Sequence, residues 1–397
     1  MVNVGIDLHK TQFTVCVRCR EGDKFGKYPT TAEGYEAFLK IVSKWQKAGH
    51  EVRAGVESTG NTRYFRDKLE AAGVKVTVIN TLKLKVVTES VKKTDKHDAA
   101  TIAEFLEKDM LPEARLCSRE SEKLRRLLKV RTTLVRAQVV IKNQLHGLLT
   151  AEGMEDTRGS LQSKKGRQQT LDTLNQCVNG LEAQPLVETI ARLGESVKEI
   201  EKQLRRLTEK DQTVKLLMSI PGCGEITAWT IRAYTDDIKR FASAKKYAAY
   251  AGLAPWVQNS NETVHHGKIT KRGPEELRTA LVQVVMGIRR MKQKTFSWRM
   301  MERYVALKAS KGSGRAIIAT ARKIAMIIWH MLNDETEFNV GLMVDQKLSK
   351  KAERMSKIVN LSEKTNIDGE KKSVVQRNKD KLKKKPGVVR KKIKKIG

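Results

Sequence analysis

Val2-Asn-Val-Gly-Ile-Asp-Leu-His-Lys10 opens the chain with apolar residues at Val2, Val4 and Ile6 and a carboxylate, Asp7, near the end of the run. A repeat of two is the signature of a strand, so Asp7 is expected at the strand's tip, projecting where the chain leaves the sheet. Phe13, Val15 and Val17 repeat the alternation, as do Val74, Val76 and Val78. Between these runs Tyr35, Phe38, Leu39, Val42 and Trp45 recur at helical spacing, with Gly49 as a stop. The pattern further predicts a strand over 52–57, a helix over 61–72 ending at Gly73, and a helix over 95–107. Strands interleaved with helices make residues 1–112 an α/β domain.

Four acids stand where such a fold can gather them. Asp7 and Glu57 each close a strand, Glu57 in AGVESTG, while Asp95 and Asp98 in KTDKHDA lie three apart on one helix face, with Asp95 also placed to cap the helix. Two unit charges ~4 Å apart repel by about 4 kcal/mol at an effective dielectric near 20, so gathered carboxylates take up protons unless a cation neutralises them. Hard oxygen donors favour Mg²⁺, with Mn²⁺ as the alternative. The chain carries 78 Lys or Arg against 45 Asp or Glu, a net charge of +33, so the substrate expected for such a metal is a nucleic-acid phosphodiester. His9 and His97 flank the acids; each is open to a role as ligand or proton carrier, against the simpler reading of an incidental exposed histidine.

From about Ser118 the period changes. Leu127, Leu134, Ile141 and Leu148 repeat every seven residues, and Ile190, Leu193, Val197, Ile200, Leu204 and Leu207 alternate spacings of three and four. Two long heptad-bearing helices joined by an irregular connection over 150–185 fit residues 113–210, either as an antiparallel pair within one subunit or as helices that also pair subunits into a dimer or tetramer; the second is the expectation. Residues 211–340 read as a mainly helical domain, and 341–397 as a basic, disordered tail. From Asp345 onward that tail holds 19 Lys or Arg against six Asp or Glu, +13 of the total.

Five cysteines, an odd and mostly scattered set, argue for a reducing compartment. Cys16 and Cys19 form a CxxC, but period two puts them on opposite faces of a strand, and no second pair completes a zinc site. No signal peptide and no membrane span are expected; the apolar stretch from Ala316 to Leu332 is interrupted by Arg322 and Lys323.

SIPGCGEITAWTI, from Ser219 to Ile231, sets a Pro-Gly-x-Gly turn between helical patterns, like a helix-hairpin-helix in which Gly222 and Gly224 let the backbone approach a phosphate. A tight turn packed inside the domain is the alternative reading of those residues. Downstream, Ser260 lies in a polar loop followed by His265, His266, Lys268, Lys271, Arg272 and Arg278, and cations around a hydroxyl suit attack on a polyanion.

The acids in their order resemble the RNase H-like core of the RuvC resolvase type. VGIDLHK, VESTG, KTDKHDA, IPGCG, RFASAKKYAAYAGLAP, GKITKRG and the late GSGRAIIATARKIAMIIWHML together resemble the DEDD transposases of bacterial insertion sequences, the family numbered 110 with its 1111 branch, from Val2 to about Asn333. The resemblance implies a bacterial cytoplasmic, nucleoid-associated recombinase that acts on double-stranded donor and target DNA and is guided by a noncoding bridge RNA. It implies that Asp7, Glu57, Asp95 and Asp98 hold Mg²⁺ and that Ser260 is a nucleophile forming a phosphoserine intermediate. This chain has Ser260-Asn261 where the family often has Ser-Gly, and Gly273-Pro274 where it often has Gly-Asn; Thr263 and Ser243 are the next candidates for the nucleophile. The alternatives are a metal-dependent endonuclease of branched DNA in which water attacks, and a nucleic-acid-binding protein without catalysis.

Overall fold

The computed structural model describes residues 1–19, 22–81, 83–84, 94–154, 161, 163–177, 182–260, 263–291 and 298–344. The basic tail lies outside them from residue 345 on, as do parts of the connection between the long helices. The chain divides into two compact units, the first ending at Ser118 and the second starting at Arg119.

The first unit runs β1 (Val2–Leu8), β2 (Gln12–Cys19), β3 (Gly22–Pro29), α1 (Ala32–Lys47), β4 (Val52–Glu57), α2 (Thr62–Ala71), β5 (Lys75–Ile79) and α3 (Asp95–Glu107). Its five-stranded sheet has the order β3-β2-β1-β4-β5. β2 is antiparallel to both β1 and β3, whereas β1, β4 and β5 run parallel, so the sheet is mixed. One face buries Val4, Ile6, Leu8, Phe13, Val15, Ala54 and Val56 against Tyr35, Phe38 and Val42 of α1 and Phe65 and Leu69 of α2. Phe13 anchors that side, its ring centroid 5.0 Å from Phe65 edge-on and 5.4 Å from Tyr28 in a stack.

The other face is covered by α3. Here β1 departs from simple alternation, because all seven of its residues are buried, Asn3, Gly5 and Asp7 included. Gly5 makes that possible: a Cβ there would collide with the Ala99 carbonyl oxygen and lie 3.0 Å from the Ala103 Cα. Gly55, on the neighbouring strand, leaves the same kind of space, since a Cβ would lie 2.8 Å from an Ile102 methyl and 2.9 Å from one of Leu111. Cys16 faces Ala99 and Ala103 on this side, fully buried, and burial pushes its thiol up to about 11.

β3 did not declare itself in the sequence. It is a largely exposed edge strand carrying Asp23, Lys24 and Lys27, charges that suit an edge and hide its period.

The second unit contains α4 (Arg119–Ala151), α5 (Lys164–Cys177), α6 (Ala183–Thr208), α7 (Gln212–Met218), α8 (Glu225–Thr235), a 3₁₀ turn (Ile238–Arg240), α9 (Ala244–Tyr250), β6 (Pro255–Ser260), β7 (Thr263–Ile269), α10 (Glu275–Arg290), α11 (Arg299–Lys311) and α12 (Ser313–Asn333). α4 and α6 lie antiparallel within the chain: Leu128 shares a core with Leu204, Arg131 pairs with Glu201 at 2.8 Å, Gln138 donates to the Ile190 carbonyl, and Leu145 packs with Ile190 and Ala183. The buried leucines of α4 are Leu124, Leu128, Leu145 and Leu149, so the expected heptad set flanks the seam rather than forming it. The connection also contains α5, a helix that the irregular reading missed because its residues are mostly polar, with Leu171 and Leu174 supplying its apolar contact.

Leu124, Leu128 and Leu204 join the C-terminal helices in a single core with Trp229, Tyr247, Leu281 and Ile328, so the long helices and the C-terminal helices are continuous across residue 210. No helix among the described residues is long and apolar enough to cross a membrane.

Candidate active site

Asp7 and Glu57 stand at the same end of two adjacent parallel strands, one residue past the Ile6–Val56 pair in each chain direction. Strand parity puts both on the face of Gly5 and Gly55, the face that α3 covers. α3 runs back along β1, so its first turn, with Asp95 and Asp98, comes to the strand tips where Asp7 and Glu57 end. The close approach allowed by Gly5 therefore brings helix-borne and strand-borne acids together. The cap of α3 is Thr94, whose hydroxyl accepts from the His97 N–H, and not Asp95 as expected. With the capping done by its neighbour, Asp95 turns toward β1.

Oxygens of Asp7 and Asp95 and a ring nitrogen of His9 lie within 4.8 Å of one another. His9 Nε2 is 3.0 Å from Asp7 Oδ2 and 3.6 Å from Asp95 Oδ1. The loop after β1 is held on both sides: the His9 N–H donates to the Gln12 carbonyl, and the His9 carbonyl accepts from Asn61 Nδ2 at 3.1 Å. The end of β4 is held as well, its Glu57 carbonyl accepting from the Thr62 hydroxyl at 2.7 Å. Asp7 is 7% exposed. Burial raises its carboxyl above the ordinary range; His9 opposes that shift by charge and hydrogen bond, and the charges of Asp95 and Asp98 reinforce it. Asp98 thus acts on Asp7 electrostatically, although its oxygens, like those of Glu57, stand outside the close trio.

A divalent cation fits this arrangement. The donors are carboxylates with one imidazole, and Asp7 is buried beside like charges that a cation would neutralise. Directly across from Asp7 on β2, Thr14 is 3% exposed, and its hydroxyl has no hydrogen-bond partner. An orphaned hydroxyl beside the acid is what a ligand-bound water or a reoriented carboxylate would satisfy. Nothing in the sequence marks Thr14; only the register of β1 against β2 does.

The second unit holds the other sequence-derived positions. Ser260 is the last residue of β6 and pairs with Thr263 of β7, so it sits in a two-stranded ribbon and not in a loop. Its neighbours Gln258 and Asn259 are polar, which left too little apolar alternation to mark a strand. Ser243 is occupied locally, accepting from the Lys246 N–H as the cap of α9. Lys268, near the end of β7, and Lys271 and Arg272, just after it, are exposed. Arg278 instead reaches inward, donating to the Lys271 carbonyl at 3.3 Å and the Ala251 carbonyl at 3.5 Å. In the Pro-Gly-x-Gly turn, Gly222 has φ +85° and abuts the backbone of Gly287 and Ile288 in α10, while Gly224 caps α8 and is open on its Cβ side. Glu225 in the first turn of α8 is held by Arg205 through bonds of 2.8–3.0 Å. Cys223, between those two glycines, is buried, and burial pushes its thiol up to about 12.

Residues 4–153 match a family model of DEDD transposases of the IS110 type, and residues 214–299 match that of the transposase IS116/IS110/IS902 family. Between them the two span most of the described chain, including every acid at the strand tips and Ser260. The chain is an IS110-family transposase. It is similar to the transposase for insertion sequence element IS1111A of Coxiella burnetii, 27% identical over 85% of this chain and 91% of that protein. The transposase for IS1328 of Yersinia enterocolitica is 26% identical over 85% of this chain and 98% of its own length. A pilin gene-inverting protein of Moraxella bovis is 24% identical over 85% and 97%. As an IS110-family transposase the chain is an enzyme acting on DNA, and its DEDD domain implies a divalent-metal site.

Proposed function

We propose that this IS110-family transposase cuts and rejoins donor and target DNA by a phosphoserine route, with Ser260 as nucleophile and Asp7, Glu57, Asp95 and Asp98 as a Mg²⁺-binding set on an RNase H-like, RuvC-type sheet. The observation that carries the metal half of this reading is the Asp7–His9–Asp95 trio at the tip of β1. The mixed sheet order and the acids at adjacent strand tips support the RuvC-type assignment. Asp7 and Asp95 would hold the ion, with Glu57 and Asp98 completing the set. A bound Mg²⁺ supplies Lewis-acid stabilisation of charge on a phosphate.

Ser260 Oγ attacks the phosphorus of one strand, forming an ester to the 5′ phosphate as the bond to the 3′ oxygen breaks. The serine loses a proton and the departing 3′ oxygen gains one. Lys268, Lys271 and Arg272, exposed at and just beyond the end of β7, attract the phosphate backbone without reading its sequence. Gly222 and Gly224 are proposed as phosphate contacts in a helix-hairpin-helix formed by α7 and α8. Gly224, open and at a helix start, suits that role better than Gly222, which abuts α10.

Target choice is assigned to a noncoding bridge RNA that pairs with both DNAs, and the long α4–α6 arm of residues 113–210 to pairing of subunits into a dimer or tetramer. Exposed Val130, Val139 and Val140 on α4 favour the second assignment. Copurified RNA complementary to the element's flanks is the expected finding for the guide. Covalent trapping tests the chemistry: the protein becomes linked to the 5′ end of cleaved DNA, and Ser260→Ala abolishes both linkage and strand transfer. Full strand transfer by Ser260→Ala, with loss in Asp7→Ala, would instead establish the water-attack endonuclease.

A further inference from the structure

We infer that Trp256 is a stacking platform for a nucleobase of the strand being cut, holding that base out of the duplex beside Ser260. This rests on the nucleophile reading above and adds a positioning residue to it. Trp256 lies on β6 and is 53% exposed, whereas Trp229 and Trp298 of the same unit are buried and Trp329 is half-buried, its indole N–H donating to the Phe241 carbonyl. A ring left in water forfeits the burial that stabilises the others. The opposite strand makes room for it: Gly267 of β7 has no side chain, and a Cβ there would lie 3.0 Å from Trp256 Cε3 and 3.6 Å from its Cβ, so the indole rests against bare backbone. The ladder shifts register at this point, between the Pro255–Ile269 and Val257–His266 pairs, an irregularity of the kind that re-aims a side chain.

Ser260 closes the same strand four residues on, about 13 Å away at roughly 3.3 Å per residue, and alternation puts positions 256 and 260 on one face. Stacked nucleotides rise ~3.4 Å each, so the ring stands within about four nucleotides of the phosphate that Ser260 attacks. Lys268, next to Gly267, and Lys271 and Arg272 after it are exposed and draw in the backbone. Cations for phosphates beside an aromatic face for a base are how unpaired strands are held, and the stack accepts any base because every base has a π-face. The nearby positions Gln258, Asn259, His265 and His266 are polar residue types, which suit a polyanion better than the apolar centre of a protein interface. Bases within a duplex stack on one another, so the ring engages only a strand opened at the cut.

The full-length protein, bound to duplexes of the element's own ends that are mismatched across the cut and carry 5-iodouracil at single positions there, tests this by photocrosslinking and peptide mapping. The crosslink is expected at Trp256 from a position within about four nucleotides of the cut, and again in Ser260→Ala. Trp256→Ala should bind the mismatched duplexes about fivefold to a hundredfold more weakly and Trp256→Phe should recover most of the loss. Neither should change the log–log salt slope, which Lys271→Ala lowers by about one. No crosslink at Trp256, or unchanged affinity in Trp256→Ala, overturns the inference while Ser260-dependent linkage to DNA leaves the nucleophile standing. A Trp256 crosslink from 5-iodouracil in copurified RNA, with none from DNA, gives the ring to RNA and overturns it as well. Covalent linkage that persists in Ser260→Ala removes the nucleophile reading and this inference with it.

Discussion

Asp7 is the residue on which the chemistry and the stability of the first unit pull in opposite directions. Its carboxyl is raised by burial, and an acid whose folded pKa exceeds its unfolded value binds protons more tightly when folded. The metal-free protein should therefore keep its full margin below the usual carboxylate range and lose stability as pH climbs from there through the raised value. Asp7→Asn is expected to melt higher than wild type at neutral pH without metal and to lose strand cleavage; a lower melting temperature in metal-free buffer would contradict the burial argument. Thr14 gives a second expectation at this scale. Replacing its unpartnered hydroxyl with a methyl removes a buried unsatisfied group, so Thr14→Val should leave metal-free stability unchanged or higher, while metal affinity drops about tenfold by calorimetry. The acids were legible in the sequence because each closes an apolar run. His9 could be named beside them, though its approach to Asp95 depends on the packing of α3; Thr14 could not, because only the register across the ladder places it.

Among the elements, the packing of α3 on β1 fixes the site, and a residue without a side chain controls it. Gly5→Ala would drive a methyl into the backbone of α3 and should cost about 1–3 kcal/mol, along with the metal centre. Gly147→Ala, in the interior of α4 with open space around it, should instead leave stability unchanged or raise it by up to about 1 kcal/mol in denaturant titration. In the second unit, Leu204 is fully buried between α6 and the C-terminal core, whereas Leu134 is only half-buried. Leu204→Ala is expected to cost about 2–5 kcal/mol and Leu134→Ala much less; equal losses would place Leu134 in the seam. Helices and inner strands were readable because one strong period dominated each. β3, α5 and the β6–β7 ribbon escaped because charge or polarity diluted theirs, and the offset of the α4 seam escaped because a leucine repeat does not say which flank of the stripe meets a partner.

For the whole molecule the dominant quantity is charge. At +33, binding to duplex DNA should release many counterions, with a log–log salt slope of about −0.9 per phosphate neutralised, and affinity should fall on the order of 10³-fold between 50 and 200 mM salt. A nearly flat response in a filter-binding series would contradict the electrostatic reading. Charge does not set the spacing of the four acids, which rests on the packing of α3 against β1. The glycine under α3 bears on that directly. Copying the DEDD acids onto another α/β scaffold would import the donors but not the gap that sets their spacing. A graft would have to carry the bare backbone of β1, its facing alanines and the helix entry as one cassette. Laboratory evolution that swaps in larger side chains there for thermal robustness should be expected to erode catalysis first.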